Sequence, residues 1–247
     1  IGRFLGPEAL GFYALAFQII VFPLAKINPI ITKVAFPAFS KVQSDNDKIR
    51  SGYSKAITYI SALSFPLLTG LFVAAHEFIF SVFGAQWGPS VVILQILCLV
   101  GMLKSNGNPV GSIFLSKGRA DIGFYWNLSV VFIVLVAELI GINWGIKGVA
   151  IALLLLQVPL SLISQFIVNV LIGYKFGYYF KILFTPFICS MGMFIVIILL
   201  KTSLLKGFDM YLLLTTLTVV GGIVYFVSYY MKDKAVLIEL KSMLVGH

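Results

Sequence analysis

Long uncharged runs of apolar residues recur along the whole chain, and short segments between them hold most of the charges. A helix needs roughly 20 apolar residues to cross a hydrocarbon layer of ~30 Å. The pattern therefore predicts about seven transmembrane helices. The predicted spans, numbered first to seventh, are residues 9–40, 53–75, 90–116, 121–142, 149–173, 180–200 and 210–231.

Several of these spans contain helix-breaking residues. The first is too long for a straight crossing and contains Pro23, Pro29 and Pro37, so we expect kinks or breaks there. Residues 76–89 form an apolar segment that we interpret as an interfacial loop. The tail at residues 232–247 alternates charged and apolar positions, which favours an amphipathic helix on the membrane surface.

The composition agrees with a membrane protein that has almost no soluble part. Hydrophobic residues make up 60% of the chain and charged residues 11%, against roughly 25% charged in an ordinary soluble domain. So few charges could not cover a water-facing surface. The fold class predicted is an all-α polytopic membrane protein. Cys98 and Cys189 both lie inside predicted spans, where we expect small buried residues rather than a disulfide or a metal pair.

The positions of the basic residues predict the orientation. Eleven of the 18 Lys and Arg residues fall in alternate loops, at the adjoining ends of spans or in the tail, four lie on the opposite side, and three lie deeper within spans. By the positive-inside rule, the eleven and the C-terminus face the cytoplasm. We attribute the net charge of +9 to basic loops beside anionic lipid, and not to a nucleic-acid partner.

The groups needed for common enzyme chemistry are scarce. The sequence contains no phosphate-binding loop of the Gly-x-x-x-x-Gly-Lys-Ser/Thr type, and His76 and His247 are its two histidines. We therefore predict no ATP hydrolysis, no catalytic residues, no metal and no cofactor: the protein is not expected to be an enzyme. Glu77, next to His76, is interpreted as part of a solvated interface pair.

Charged residues within the spans are the informative ones. A lysine near the bilayer centre costs roughly 2.5–3.5 kcal/mol even on the lenient insertion scale, so it needs a cavity, a partner or the bundle interior. Lys104 lies near the middle of the third span, and Lys26 is similarly central in the first. Lys33 lies one heptad after Lys26, where snorkelling to the cytoplasmic interface and a cavity role are equally compatible with its position.

Polar uncharged residues accompany these lysines. They are Gln18, Asn28, Gln95, Asn106 and Asn108. We interpret the lysines, with Asn28 and Gln18, as lining a positively charged cavity that binds an anionic substrate. Glu138, near the outer end of the fourth span, is a weaker candidate for binding a coupling ion. The alternative that we favour is an interface carboxylate within reach of Lys147.

Four segments resemble one family of transporters. Residues 3–16 (RFLGPEALGFYALA), 34–43 (VAFPAFSKVQ), 94–101 (LQILCLVG) and 144–150 (WGIKGVA) resemble the Wzx-type polysaccharide flippases, closest to the colanic and teichuronic acid exporter branch. These flippases belong to the multidrug/oligosaccharidyl-lipid/polysaccharide exporter superfamily. The Phe-Pro-Ala-Phe-Ser element at residues 36–40 is the most specific of the matches.

The resemblance implies a C-terminal half of such a protein. Residues 1–173 would form the C-terminal six-helix lobe, whose first helix is truncated and ends at about residue 6. Residues 174–231 would be two additional transmembrane helices, and residues 232–247 a cytoplasmic tail. The chain begins with Ile1, and its first residues read as the tail of an earlier helix. We expect a preceding lobe of the same protein as a partner.

The implied function is translocation of an undecaprenyl-pyrophosphate-linked oligosaccharide across the cytoplasmic membrane by ion-coupled alternating access. Polysaccharide polymerase machinery is a further implied partner. The family has a basic cavity, in agreement with Lys26, Lys33 and Lys104, although arginine is usual at the position of Lys33 and uncharged polar residues at the other two. Two alternatives are a multidrug or small-cation exporter of the same superfamily and a membrane-embedded glycosyltransferase or polymerase.

Overall fold

A computed structural model describes residues 1–41, 45–203 and 209–245, with the side chains of all of these except residues 28–38, 40–41, 108 and 240–245. The regular elements of this part are all helical. They are α1 (Gly2–Leu5), α2 (Pro7–Lys41), α3 (Asn46–Val73), α4 (Ala75–Val82), α5 (Ser90–Ser105), α6 (Asn108–Ser116), α7 (Ala120–Gly141), α8 (Gly145–Ile172), α9 (Phe176–Ser203), α10 (Met210–Lys232) and α11 (Lys234–Val245). Single 3₁₀ turns occupy Ala85–Trp87 and Ile142–Trp144.

Local chemistry explains several helix boundaries. Asp45 caps α3, since its carboxylate accepts hydrogen bonds of 3.1 Å from the backbone amides of Asp47 and Lys48. Asp209 caps α10 through the amide of Tyr211 at 3.2 Å. Helix α8 ends at Gly173, whose φ of 68° is the left-handed conformation that glycine adopts without strain.

The described residues include six helical segments that are long and apolar enough to cross a bilayer, in agreement with a polytopic membrane protein. One of them, Ala120–Ile172, has 53 residues, about twice the length that a crossing needs. The 3₁₀ turn at Ile142–Trp144 and Gly145, with φ of 70°, divide it into α7 and α8, which pack against each other. If α7 and α8 are counted as two crossings, the six segments give the seven crossings that the sequence predicted.

Glycine makes the α7–α8 turn possible. A Cβ atom on Gly148 would lie 2.3 Å from the carbonyl oxygen of Gly141 and 2.6 Å from the Cβ of Trp144. A Cβ on Gly141 would in turn meet the carbonyl oxygen of Gly148 at 2.8 Å. The two backbones therefore approach more closely than any larger residue allows.

Helix α3 lies at the centre of the bundle. It packs against α2, α5 and α9, while α5 also contacts α2 and α8. One apolar cluster joins α2, α3, α4, α5 and α8, and a second joins α3, α6 and α8 to α9 and α10. Cys98 and Cys189 are buried in these clusters as free thiols, as the sequence predicted. Helices α9 and α10 thus pack on the rest of the bundle mainly through the contact of α9 with α3.

The interruptions differ in part from those expected. Helix α2 has no break at its prolines, because a transmembrane helix tolerates the loss of one donor where neighbours satisfy the freed carbonyl; kinks at these prolines stay a prediction. The predicted third span is the one that breaks, between α5 and α6. The segment at residues 76–89 is also not simply a loop, since α4 and a 3₁₀ turn occupy most of it.

Candidate functional site at the break between α5 and α6

The break between α5 and α6 places polar groups at the depth of an apolar span. Lys104 lies in the last turn of α5 with an exposed side chain. The amide of Gly107 donates a 3.0 Å hydrogen bond to the carbonyl oxygen of Lys104, and α6 starts again at Asn108 with Pro109 in its first turn. Discontinuous helices of this kind expose helix ends, which transporters use to bind polar groups near the membrane midplane.

Two serines fix this break to the central helix. The hydroxyl of Ser64 on α3 donates to the hydroxyl of Ser105 at 3.1 Å. Ser105 donates to the carbonyl oxygen of Met102 at 2.9 Å. Both serines are fully buried, so their hydrogen bond holds the end of α5 against α3. The adjacent side chain of Lys104 is exposed.

A glycine brings α5 close to its neighbours one turn before the break. A Cβ atom on Gly101 would lie 3.1 Å from Cδ1 of Leu68 on α3 and 3.5 Å from Cδ1 of Leu24 on α2. This close packing restricts the movement of α5 and therefore of Lys104, because α5 lies between α2 and α3 at this point.

Asn106 is the unusual residue of the break. Its side chain is 4% exposed, and its Oδ1 has no hydrogen-bond partner among the described residues. A buried polar atom without a partner costs about 1–3 kcal/mol. Such atoms are few in native proteins and each calls for an explanation.

Two other candidates lie on the exposed stripe of α2. Gln18 and Lys26 are both exposed, on the side away from the buried Ile20 and Leu24. The Lys26 ammonium lies 5.9 Å from the centre of the Phe22 ring, a cation–π contact that partly compensates a charge in an apolar setting. Asn28 and Lys33 lie on α2, but their side chains are outside the described residues.

Glu138 is separate from the break. Its carboxyl is half-buried on α7 and interacts electrostatically with the hydroxyl of Tyr13 on α2. Among the described residues no ion pair joins it to Lys147, which is exposed. An ion-coupling role for Glu138 stays a prediction, as do the binding roles of the other five residues.

The interpretation of Glu77 as a solvated residue was wrong. Its side chain is 5% exposed, and Oε1 lies 2.8 Å from the Nζ of Lys201 on α9. His76 is more distant, with Nδ1 3.8 Å from the same carboxyl oxygen. The partners are 124 positions apart in the sequence, so no local spacing could have revealed the pair. By contrast, the Asn-Gly-Asn-Pro run at residues 106–109 is a turn signal that could have revealed the break.

Comparisons with known proteins identify relatives. A family model described as "Polysaccharide biosynthesis protein" matches residues 1–92. The chain is 38% identical over 198 residues to the lipopolysaccharide biosynthesis protein WzxC of Escherichia coli K12, covering 79% of this chain and 40% of that protein. It is 40% identical over 197 residues to the teichuronic acid biosynthesis protein TuaB of Bacillus subtilis 168, covering 79% and 41%.

A solved structure supports the fold. The lipid II flippase MurJ, in an inward closed conformation, matches with a TM-score of 0.76 at 15% identity, over 93% of this chain and 48% of that one. At that identity the match concerns the fold alone. The chain spans less than half the length of each of these three relatives.

The fold and the broken span define a polytopic, all-α membrane protein with the architecture of a flippase. The resemblance seen in the sequence is confirmed by the curated relatives. The chain is similar to these polysaccharide biosynthesis proteins over 79% of its own length.

Proposed function

We propose that this chain takes part in moving an undecaprenyl-pyrophosphate-linked oligosaccharide across the cytoplasmic membrane for export of a cell-surface polysaccharide. Transport would proceed by alternating access, driven by an ion gradient. The protein moves its substrate and does not change it chemically. The similarity to polysaccharide biosynthesis proteins and the groups at the α5–α6 break support this proposal.

The observation that carries it is the position of Lys104. The ammonium lies next to a helix break in the middle of an apolar span, two residues before Asn106, whose buried Oδ1 has no hydrogen-bond partner among the described residues. A lysine at that depth is unfavourable by roughly 2.5–3.5 kcal/mol unless an opposite charge or a polar cavity compensates it. A pyrophosphate group supplies the opposite charge and accepts hydrogen bonds from the Lys104 ammonium.

The remaining parts of the proposal concern the whole transporter. Residues 1–173 act as one lobe, residues 174–231 as two additional helices, and a preceding lobe of the same protein closes the cavity on its open side. The basic loops and the C-terminus face the cytoplasm, and Glu138 is the candidate for ion coupling. Polysaccharide polymerase machinery on the outer side would receive the flipped substrate.

The two alternative functions explain the site less well. A cation exporter would repel its substrate at Lys104 and Lys26, because both ammonium groups are exposed. A glycosyltransferase or polymerase needs acidic or histidine groups at its active site, and the groups at this break are a lysine, serines and an asparagine. The homologues are likewise named for polysaccharide biosynthesis and flipping.

The test replaces Lys104 in the complete protein, expressed in a strain whose own copy of the gene is deleted. We expect Lys104→Ala to abolish export of the polymer and Lys104→Arg to retain part of it, since arginine keeps the charge. Lys147→Ala is the matched control: it also removes an exposed lysine, but from the α7–α8 end of the bundle. Immunoblotting of membranes checks that all variants reach the same level. Wild-type export by Lys104→Ala would overturn the proposal.

A further inference from the structure

A second polar cavity lies away from the α5–α6 break, where α3 begins and α8 gives way to α9. It measures about 290 Å³ and is lined by Arg50, Ser51, Ser54, Gly173, Tyr174, Lys175 and Tyr178. Two cationic side chains and four hydroxyl groups therefore surround one small space. Its volume is at the lower limit of the roughly 300–1,000 Å³ that is typical of small-molecule sites. The cavity is therefore too small for an oligosaccharide repeat, but it can hold a headgroup phosphate.

The walls of this cavity are built by a hydrogen-bonded framework. The hydroxyls of Ser54 and Tyr174 lie 2.8 Å apart, and the ring of Tyr174 packs edge-on against that of Tyr53 with centroids 5.1 Å apart. The hydroxyl of Tyr53 donates to Oε1 of Gln165 at 2.9 Å. Tyr174 is 2% exposed, so the residue before Lys175 is held firmly and Lys175 follows at a defined position.

The arginine lies beside this turn. Gly173 has φ of 68°, and a Cβ atom there would lie 4.0 Å from Cζ of Arg50. The guanidinium therefore lies over the turn that carries Lys175. An arginine fork and a neighbouring ammonium together match the geometry and the charge of a phosphate group.

The Asp47 carboxylate, which would compete with a phosphate for Arg50, is bound only weakly. Asp47 forms an ion pair of 3.2 Å with Arg50, but its side chain is 89% exposed and that of Arg50 is 40% exposed. Ion pairs between exposed groups contribute little, so a phosphate can replace or share this partner. Asp45, the other acid nearby, is occupied by Lys48 and by the α3 cap.

The surroundings favour a lipid as the source of the phosphate. Tyr178 is 61% exposed and Phe180 is 53% exposed beside the cavity, and aromatic side chains of this kind lie at the level of lipid headgroups. The cavity is also at the end of the bundle that carries the basic loops, where anionic lipid is attracted. We propose that Arg50 and Lys175 bind the phosphate of an anionic membrane lipid at this junction.

The test measures lipid retention by native mass spectrometry on the complete protein, purified from mixed phosphatidylcholine and phosphatidylglycerol bilayers. We expect the wild type to retain phosphatidylglycerol selectively. Arg50→Gln combined with Lys175→Gln should weaken retention about 25-fold, at roughly fivefold for each cationic group removed. Arg50→Lys, which keeps the charge, should weaken it by less than fivefold.

The matched control is Lys48→Gln combined with Arg119→Gln, which removes two exposed cations from the same side of the bundle but outside the cavity. Retention unchanged in this control supports the site. An equal loss in the control would overturn the proposal, because diffuse surface charge would then explain the binding. Displacement of the lipid by inorganic phosphate at low concentration would also overturn it, by identifying a free anion as the ligand. Unchanged thermal unfolding of the double variant excludes misfolding as the cause of a loss.

Discussion

The ammonium of Lys201 on α9 lies 2.8 Å from the carboxylate of Glu77 on α4 and 3.4 Å from the carbonyl oxygen of Val73 at the end of α3. The glutamate is almost fully buried, and the lysine side chain is 32% exposed. This ion pair joins α9 to α4 at the end of α9 opposite the cavity of Arg50 and Lys175. It is therefore a second attachment point for α9, in addition to the apolar contact with α3.

The first prediction concerns this ion pair. Lys201→Met should destabilise the protein, because it leaves the Glu77 carboxylate buried without a cation. Breaking a fully buried pair costs about 3–5 kcal/mol, and since Lys201 is partly exposed we expect about 2 kcal/mol. The measurement is the thermal unfolding of the purified protein in detergent.

A double variant separates the ion pair from simple packing. Glu77→Gln combined with Lys201→Met removes both charges and should recover most of the stability, since a neutral amide is easier to bury than a carboxylate. If the double variant is as unstable as the sum of the single variants, the two groups are not coupled. In that case α9 would be attached by its apolar contacts alone.

A second prediction tests the close approach of α7 and α8. Gly148→Ala should destabilise the protein by about 1–3 kcal/mol, because the added methyl group would overlap the backbone of Gly141. Gly192→Ala is the control: it lies within α9 and has nothing within 4 Å of the added atom. That change should be neutral or slightly stabilising, since alanine favours a helix more than glycine does. Equal stability of both variants in thermal unfolding would contradict the tight turn.

A third prediction concerns the C-terminal helix α11. Glu239 accepts a hydrogen bond from Tyr59 and pairs with Lys55 at 3.3 Å, both on α3. These partners hold the pKa of the Glu239 carboxyl below its ordinary value. A carboxyl with a depressed pKa stabilises the docked helix fully above its ordinary pKa, and this contribution is lost as the pH falls through the lowered value. Protection of Lys234–Val245 from hydrogen exchange should therefore fall at acid pH.

The charge-free variant provides the control for this pH dependence. Glu239→Gln should show reduced protection of α11 at neutral pH, and that protection should change little on acidification. A wild-type pH profile in Glu239→Gln would mean that another group controls the docking. Salt should weaken the contact in the wild type as well, because the ion pair with Lys55 is exposed to solvent.

The sequence was sufficient for the spans because hydropathy over ~20 residues is a strong and local signal. It also indicated the depth of Lys104, which depends only on its distance from the ends of the span. The break beside Lys104 was missed because the mean hydropathy of residues 90–116 remains high despite Asn106 and Asn108. Ser64 and Ser105 could not have been paired, since their contact depends on how α3 packs against α5.

The Glu77–Lys201 pair shows the same limit more clearly. Lys201 lies at the end of a predicted span, but its partner depends on α9 folding back against α3 and α4. At the prolines of α2 the local signal for a break did not produce one, because surrounding helices can satisfy the freed carbonyl groups. Local patterns thus predicted the spans, but they missed α4, the α5–α6 break and the contacts between helices.

The last prediction separates stability from transport at Asn106. Its buried Oδ1 has no partner among the described residues, so Asn106→Leu, of similar size, should raise the stability by about 1 kcal/mol through removal of an unsatisfied polar group. If the carboxamide binds substrate beside Lys104, the same change should reduce polymer export. Ser116→Ala is the control, because Ser116 is also buried but its hydroxyl donates to the carbonyl oxygen of Ile113 within α6; it should leave export unchanged. Higher stability with full export in Asn106→Leu would exclude Asn106 from the transport path and leave Lys104 as the polar group of the break to be tested.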